Sequence, residues 1–305
     1  MKKNFKKSYL FLGPIVFIWI IKDIDFIKLQ EVTATIQPVY YAIAAFLWLP
    51  IVFFKTYRWK KIMDTQKIYY SIKNAFLIYN SSSLLGLITP GKIGDFSKIA
   101  YLKKDSHSFG RAFLGSFLER VFDLLFVIVF SSVVVFFVPF IPHFSFDYYD
   151  LIKLTSLIII FLGVFLTLFY FFKKQFLLNF ISDILNDLKQ FKIKNILFIF
   201  ATSAIVWFLY FLLVYLIATS INLHQSVTFL YLSFAAAVAL LASFLPITVI
   251  GIGTREAVFI FLLKPLDISK ETVIAFSLLI LVNYLALFMI NFYCWIKKPL
   301  ISLNS

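Results

Sequence analysis

Three small groups of charged residues interrupt otherwise apolar sequence. Glu119, Arg120 and Asp123 lie in Phe117-Leu118-Glu119-Arg120-Val121-Phe122-Asp123-Leu124. On a helix beginning at Ala112, Glu119 and Asp123 share a face at i and i+4, and Arg120 reaches Asp123 at i+3. Arg255 and Glu256 follow Gly251-Ile252-Gly253-Thr254, and Lys92 and Asp95 sit in Thr89-Pro90-Gly91-Lys92-Ile93-Gly94-Asp95. Ionisable groups at membrane depth are costly unless they pair or line a polar cavity. Two kinds of chemistry fit. One is a path for a lipid headgroup, with the guanidinium fork of Arg255 and the ammonium of Lys92 holding a phosphate. The other is an internally satisfied ion-pair lock between helices. Asp95 also fits as the N-cap of residues 96–102, and Glu256 as a complement to a helix dipole behind a Thr254 N-cap.

Much other chemistry is excluded. Cys294 is the lone cysteine, and His107, His143 and His224 are scattered, so no familiar spacing yields a disulfide or a metal site. There is no P-loop, hence no ATP site, and no cofactor is expected. The chain is 62% hydrophobic, with 40 Phe and only 14% charged residues, more apolar surface than a soluble core buries. From Asn195 to Thr254, 60 consecutive residues lack Asp, Glu, Lys and Arg, which reads as membrane. The net charge of +14 then reflects orientation rather than nucleic acid, because the basic residues are interleaved with apolar blocks.

The elements that must hold these groups follow from hydropathy. Apolar runs at Tyr9 to Ile21, Val32 to Phe54, Leu124 to Phe146, Leu154 to Phe172, Asn195 to Leu223 and Thr272 to Ile296 predict six crossings. With the N-terminus cytoplasmic, 21 of the 29 Lys and Arg fall on the cytoplasmic side, which places both termini there in a multi-pass plasma-membrane protein. Lys55 to Lys67 and Lys173 to Lys194 are then basic cytoplasmic segments able to lie along an anionic leaflet. Two further segments do not cross. Tyr69 to Thr89 is flanked by basic residues on both sides and broken by Pro90, Gly91 and Gly94 before a short return. Val227 to Leu263 is broken at Pro246, Gly251 and Gly253. The expected fold is an all-α polytopic membrane protein of about eight membrane helices: six crossings plus two broken re-entrant hairpins. Residues 1–152 and 153–305 form the two halves of an inverted repeat within one membrane domain. Such paired breaks point to a transporter's substrate site.

The motifs at 87–95, 117–124 and 245–257 together resemble the lysylphosphatidylglycerol synthase transmembrane-region family, and Arg58-Trp59 fits its basic-aromatic segment. Asp95, Lys98 and Thr254 depart from the residues usual there. The resemblance implies a flippase-like protein, similar to the flippase half of the bacterial multiple peptide resistance factor. It would move a phospho- or polyprenyl-linked lipid between leaflets. Its path or headgroup-binding residues would come from Lys92, Asp95, Glu119, Arg120, Asp123, Arg255 and Glu256. The soluble aminoacyl-transferase domain of bifunctional members is absent, so no enzymatic activity is expected. The implied partners are anionic or phosphate-bearing membrane lipids, with a homodimer or a separately encoded lipid-modifying enzyme also compatible. Competing readings are a polytopic glycosyltransferase using Asp23 and Asp25, and a non-catalytic membrane partner of a lipid-modifying enzyme.

Overall fold

The computed structural model describes residues 18, 22, 24–104, 109–137, 189, 191–243, 248 and 250–300. The expected crossings at 9–21 (apart from Ile18) and 154–172, most of the segment at 173–194, and Pro246 lie outside the described residues. Every regular element among those described is helical. In chain order these are α1 (Phe26–Ala34), α2 (Pro38–Phe46), α3 (Trp48–Thr65), α4 (Ile72–Ile88), a 3-10 stretch (Pro90–Ser97), and α5 (Lys98–Lys104). Then come α6 (Phe109–Phe137), α7 (Ile193–Ser220), α8 (Phe229–Ser243), α9 (Thr254–Leu263) and α10 (Lys270–Lys297).

Helix ends follow local chemistry. Asp25 caps α1 by accepting from the Ile27 and Lys28 amides, Pro38 sits at the first turn of α2, and Ser71 and Ser269 cap α4 and α10. The α2–α3 unit, α7 and α10 each run 28 residues and are apolar enough to cross a membrane. At 1.5 Å per residue each is roughly 42 Å long, more than a hydrocarbon core of about 30 Å requires. This is a polytopic membrane protein.

The α10 helix shows how such an element is built. Ile280, Asn283, Leu287, Asn291 and Cys294 are buried, whereas Val282, Leu285, Met289, Tyr293 and Ile296 are exposed and apolar. One stripe packs inward and the other presents hydrocarbon outward, as lipid demands and water does not.

Contacts fix relative directions. The Gln37 amide donates to the Ser220 carbonyl at 2.7 Å and Arg58 donates to Ser203 at 2.6 Å, so α2–α3 and α7 are antiparallel. Tyr41 reaches the Leu279 carbonyl at 3.0 Å and Trp48 reaches Asn283 at 2.8 Å, so α2–α3 and α10 run parallel. Two segments fold back on themselves. Gly86 packs against Asp95 while Tyr79, a turn or two earlier, faces Lys98, so α5 returns along α4. Tyr231, near the start of α8, donates to the Leu262 carbonyl at 2.5 Å, and Ser243, at its end, meets Gly251.

One boundary differs in a way that matters. The crossing expected to end at Phe54 continues to Thr65, and Lys55 to Lys67 is mostly the C-terminal part of that helix rather than a separate segment lying on a leaflet. Charge did not end the helix because the charge is paired within the bundle: Arg58 and Trp59 are fully buried. Likewise α6 begins at Phe109, ahead of Ala112, and carries its charged cluster within a continuous 29-residue helix.

Candidate functional site

Five helices converge on Arg58. From α3 its Nη1 donates to Asp123 Oδ1 at 2.7 Å and its Nη2 to Asp123 Oδ2 at 3.1 Å, a two-pronged grip on a carboxylate of α6. The same Nη2 reaches Glu119 Oε1 at 3.1 Å. Glu119 also accepts from Lys98 Nζ of α5 at 2.5 Å and from the Tyr79 hydroxyl of α4. Trp207 Nε1 of α7 donates to Asp123 at 3.2 Å. Lys98 lies 4.4 Å from the Tyr79 ring centroid and 5.9 Å from that of Trp59, so its ammonium is held over aromatic faces as well. Arg58 and Glu119 are wholly inaccessible. This network is a lock.

Arg120, one residue along α6, turns elsewhere. It pairs with Asp95 across the first hairpin. Asp95 is therefore an ion-pair member within the 3-10 stretch, whose N-cap is Thr89. Room for its carboxylate comes from Gly86, where any Cβ would collide with Asp95. The break itself is left-handed at Gly91 (φ 60°) and at Lys92 (φ 56°). A lysine held there costs about 1 to 2 kcal/mol, and Thr89 braces the turn by accepting from the Gly94 amide at 2.7 Å.

The second break is built differently. Glu256 accepts from the Gly253 amide at 2.6 Å, from Arg255 Nη2 at 2.7 Å and from the Ser277 hydroxyl at 2.7 Å. Arg255 Nε donates to the Ser277 oxygen at 2.8 Å. The residue capping α9 is Gly253, not Thr254, whose hydroxyl instead turns back to the Gly251 carbonyl at 3.2 Å. Gly251 and Gly253 have φ of 77° and 88°, a left-handed path that suits glycine. Arg255 is thus held by its neighbour Glu256 and by Ser277 of α10.

Between these structures lies a narrow cleft. Lys55, Lys92, Asp95, Arg120 and Asp123 face it, with Trp48, Tyr79, Trp207, Tyr210 and Tyr284 forming an aromatic wall. A second, much smaller cavity, lined by Arg255 and Ser243, shares Leu87, Lys92, Tyr210, Leu240 and Tyr284 with the first. Of the sequence-predicted residues, Lys92, Asp95, Arg120 and Asp123 come together on one cavity and Arg255 on its neighbour. Glu119 stands behind the wall in the lock. Sequence reasoning passed over Lys55, Arg58, Tyr79, Lys98 and Trp207 as site residues.

The described residues Lys55, Arg58, Lys92, Lys98 and Arg120 face or back the larger cleft, against the carboxylates Asp95, Glu119 and Asp123. Five basic side chains stand against three carboxylates, so the lining carries an excess of basic groups. Such a site favours an anion.

Comparison with known proteins agrees with the motif reading. The family model for the lysylphosphatidylglycerol synthase TM region matches residues 8–290. A UPF0104 membrane protein of Methanocaldococcus jannaschii is 30% identical over 223 residues, covering 71% of this chain and 94% of that protein. No solved structure gives a significant match. With the match running across nearly the whole chain, this protein belongs to the lysylphosphatidylglycerol synthase transmembrane-region family.

Proposed function

We propose that this protein is a lipid transporter that moves a lipid with a phosphate-bearing headgroup between the two leaflets. The observation that carries the reading is the excess of basic groups around an aromatic-walled cleft enclosed by apolar helices. Phosphate oxygens would meet Lys55, Lys92 and Arg120, while the acyl or prenyl chains stay among the outward apolar faces. Without an ATP site, movement follows a gradient or the membrane potential acting on the headgroup charge.

An inverted repeat is part of this reading. It is supported by paired elements of similar length: Pro38 and Ile193 open 28-residue spans, Ile72 and Phe229 open the first arms of the two broken segments, and Phe109 and Lys270 open the next long helices. The antiparallel course of α2–α3 and α7 is what two halves of opposite orientation require. In this arrangement 1–152 and 153–305 are the two halves, both termini are cytoplasmic, and one hairpin dips from each face. The 10 residues of α9 extend about 15 Å, which brings Arg255 near mid-depth. Asp25, one of the two acids a glycosyltransferase reading would need, is engaged as the cap of α1.

The test is reconstitution into phosphatidylcholine vesicles carrying tail-labelled lipids that differ in headgroup. Outer-leaflet label is quenched chemically and the protected fraction is followed in time. Labelled phosphatidylglycerol is expected to exchange faster than in protein-free vesicles, and a labelled glycosyl diacylglycerol lacking phosphate is not. Equal rates for the two lipids, or no acceleration of either, defeats the proposal.

A further inference from the structure

Lys55 is set apart from the other basic groups of the larger cleft. It lies in α3 within the 28-residue span Pro38–Thr65, roughly 15 Å of helix short of Thr65. Its side chain faces the cleft, yet among the described residues its ammonium makes no hydrogen bond and no ion pair. The carboxylates around it are already engaged. Asp123 accepts both prongs of Arg58 and the Trp207 indole, Glu119 accepts from Arg58, Lys98 and Tyr79, and Asp95 pairs with Arg120. Arg58, one turn further along α3, shows what a basic side chain at this depth requires: it is fully buried and met by two carboxylates. A lysine inside a membrane bundle without an anionic partner of its own marks a place where an anion is bound.

We propose that Lys55 selects a lipid whose headgroup ends in a phosphomonoester, in preference to a phosphodiester. This rests on the transporter reading above and names its substrate class. Lys55 of α3, Lys92 of the first break and Arg120 of α6 face one cleft from three separate elements. A phosphodiester offers them a single charge and two unesterified oxygens. A phosphomonoester offers about one and a half to two charges and three acceptor oxygens, one for each element, and Lys55 is the group that a diester leaves unanswered. Arg120 has a carboxylate, Asp95, when the anion is absent. Lys55 has none to return to, so the second charge of the ligand acts chiefly there. Shape points the same way. The cleft is narrow, and Trp48, Tyr79, Trp207 and Tyr210 form its wall. A headgroup that ends at its phosphate needs no room beyond it, whereas a diester must also seat an alcohol substituent against those rings.

The experiment uses the full chain in phosphatidylcholine nanodiscs. Calorimetry measures the binding of dihexanoyl phosphatidic acid, dihexanoyl phosphatidylglycerol and glycerol 3-phosphate, each corrected by protein-free nanodiscs. Phosphatidic acid is expected to bind about tenfold more tightly than phosphatidylglycerol, the difference of one charge-assisted hydrogen bond. Lys55→Met strands no partner among the described residues and should fold. In it the ratio is expected to fall towards one, and in Lys55→Arg, which keeps the charge, to persist. A ratio at or below one in the unaltered chain overturns the proposal without recourse to any variant, and a ratio that Lys55→Met leaves unchanged overturns it as well. Glycerol 3-phosphate binding as tightly as phosphatidic acid overturns the assignment to a lipid. The vesicle assay above, run with both labelled lipids, separates the two readings. Phosphatidylglycerol exchange that persists with no preference for phosphatidic acid removes the selectivity and leaves the transporter standing. Preferential binding of phosphatidic acid with no exchange of either lipid does the reverse.

Discussion

Replacing Arg58 with Met keeps most of the side-chain stem and deletes the guanidinium that joins α3 to α6 and α7. The wild-type group makes bonds of 2.7 and 3.1 Å to Asp123, 3.1 Å to Glu119 and 2.6 Å to Ser203. After the change Glu119 still has Lys98 at 2.5 Å and the Tyr79 hydroxyl, whereas the hydrogen bond left to Asp123 among the described residues is that from the Trp207 indole at 3.2 Å. The penalty is therefore concentrated on one stranded carboxylate, and removing one partner of a buried pair costs about 3 to 5 kcal/mol. Asp123→Leu should cost less, because Arg58 keeps Glu119 and Ser203. In the double variant no charge is stranded, so Arg58→Met/Asp123→Leu should be more stable than Arg58→Met alone, with a coupling energy of about 2 kcal/mol. Reversible unfolding in mixed micelles of increasing SDS content measures all four corners of the cycle. Single-variant losses that add to within about 0.5 kcal/mol in the double would refute the pairing on which the lock is argued.

The other expectations concern the hairpins and the frame. Gly94→Ala would press a Cβ into the Leu85 backbone, which cannot yield, and should lower stability by about 1 to 3 kcal/mol in the same SDS titration; Gly86→Ala meets only the Asp95 carboxylate, which can swing, so folded yield should hold while phosphatidylglycerol exchange falls. Arg120→Asp and Asp95→Arg should each reduce exchange, and the double reversal should restore thermal stability towards wild type, a recovery whose absence argues against their contact. In a Cys294→Ser background, Tyr69→Cys and Lys264→Cys, both at exposed positions, should react with an impermeant maleimide from opposite faces of sealed vesicles; labelling from one face removes the proposed orientation of the two hairpins.

What the sequence revealed and what it concealed have physical causes. The first break was legible because Pro90 and Gly91 act locally: α4 ends at Ile88 and regular α-helix resumes only at Lys98. Arg58 was not, because hydropathy averages around a helix and treats a buried cation like a solvated one. Its position is nonetheless written in the spacing. Trp48, Ile51, Lys55, Arg58 and Ile62 follow one another at alternating intervals of three and four, and four of the five are buried. A charged residue falling on an apolar helical stripe signals a partner elsewhere in the fold. The Asp95 partner of Arg120 was hidden for a second reason: helical neighbours at i+3 are always in reach, whereas Asp95 is brought in by a hairpin, its carboxylate lying in the space beside Gly86.

These two omissions resolve into one arrangement. On a helix of 3.6 residues per turn, adjacent side chains point about 100° apart. Glu119 and Asp123, four apart, share the face that Arg58 grips, while Arg120 lies round the helix and meets Asp95. On the proposed reading, one short motif combines two roles that the sequence presented as alternatives. Its inner face fastens α6 to α3, α5 and α7 through Arg58, Lys98 and Trp207. Its other face opens on the cleft, where the Arg120–Asp95 pair remains partly accessible, at 17% and 8% exposure, as the proposed phosphate contact requires. Because Arg58 and Lys98 hold Glu119 and Asp123 without that pair, an exchange of partners at Arg120 would leave those contacts in place. A site meant to bind and release an anion within a helical bundle needs this separation between the charges that hold and the charges that let go.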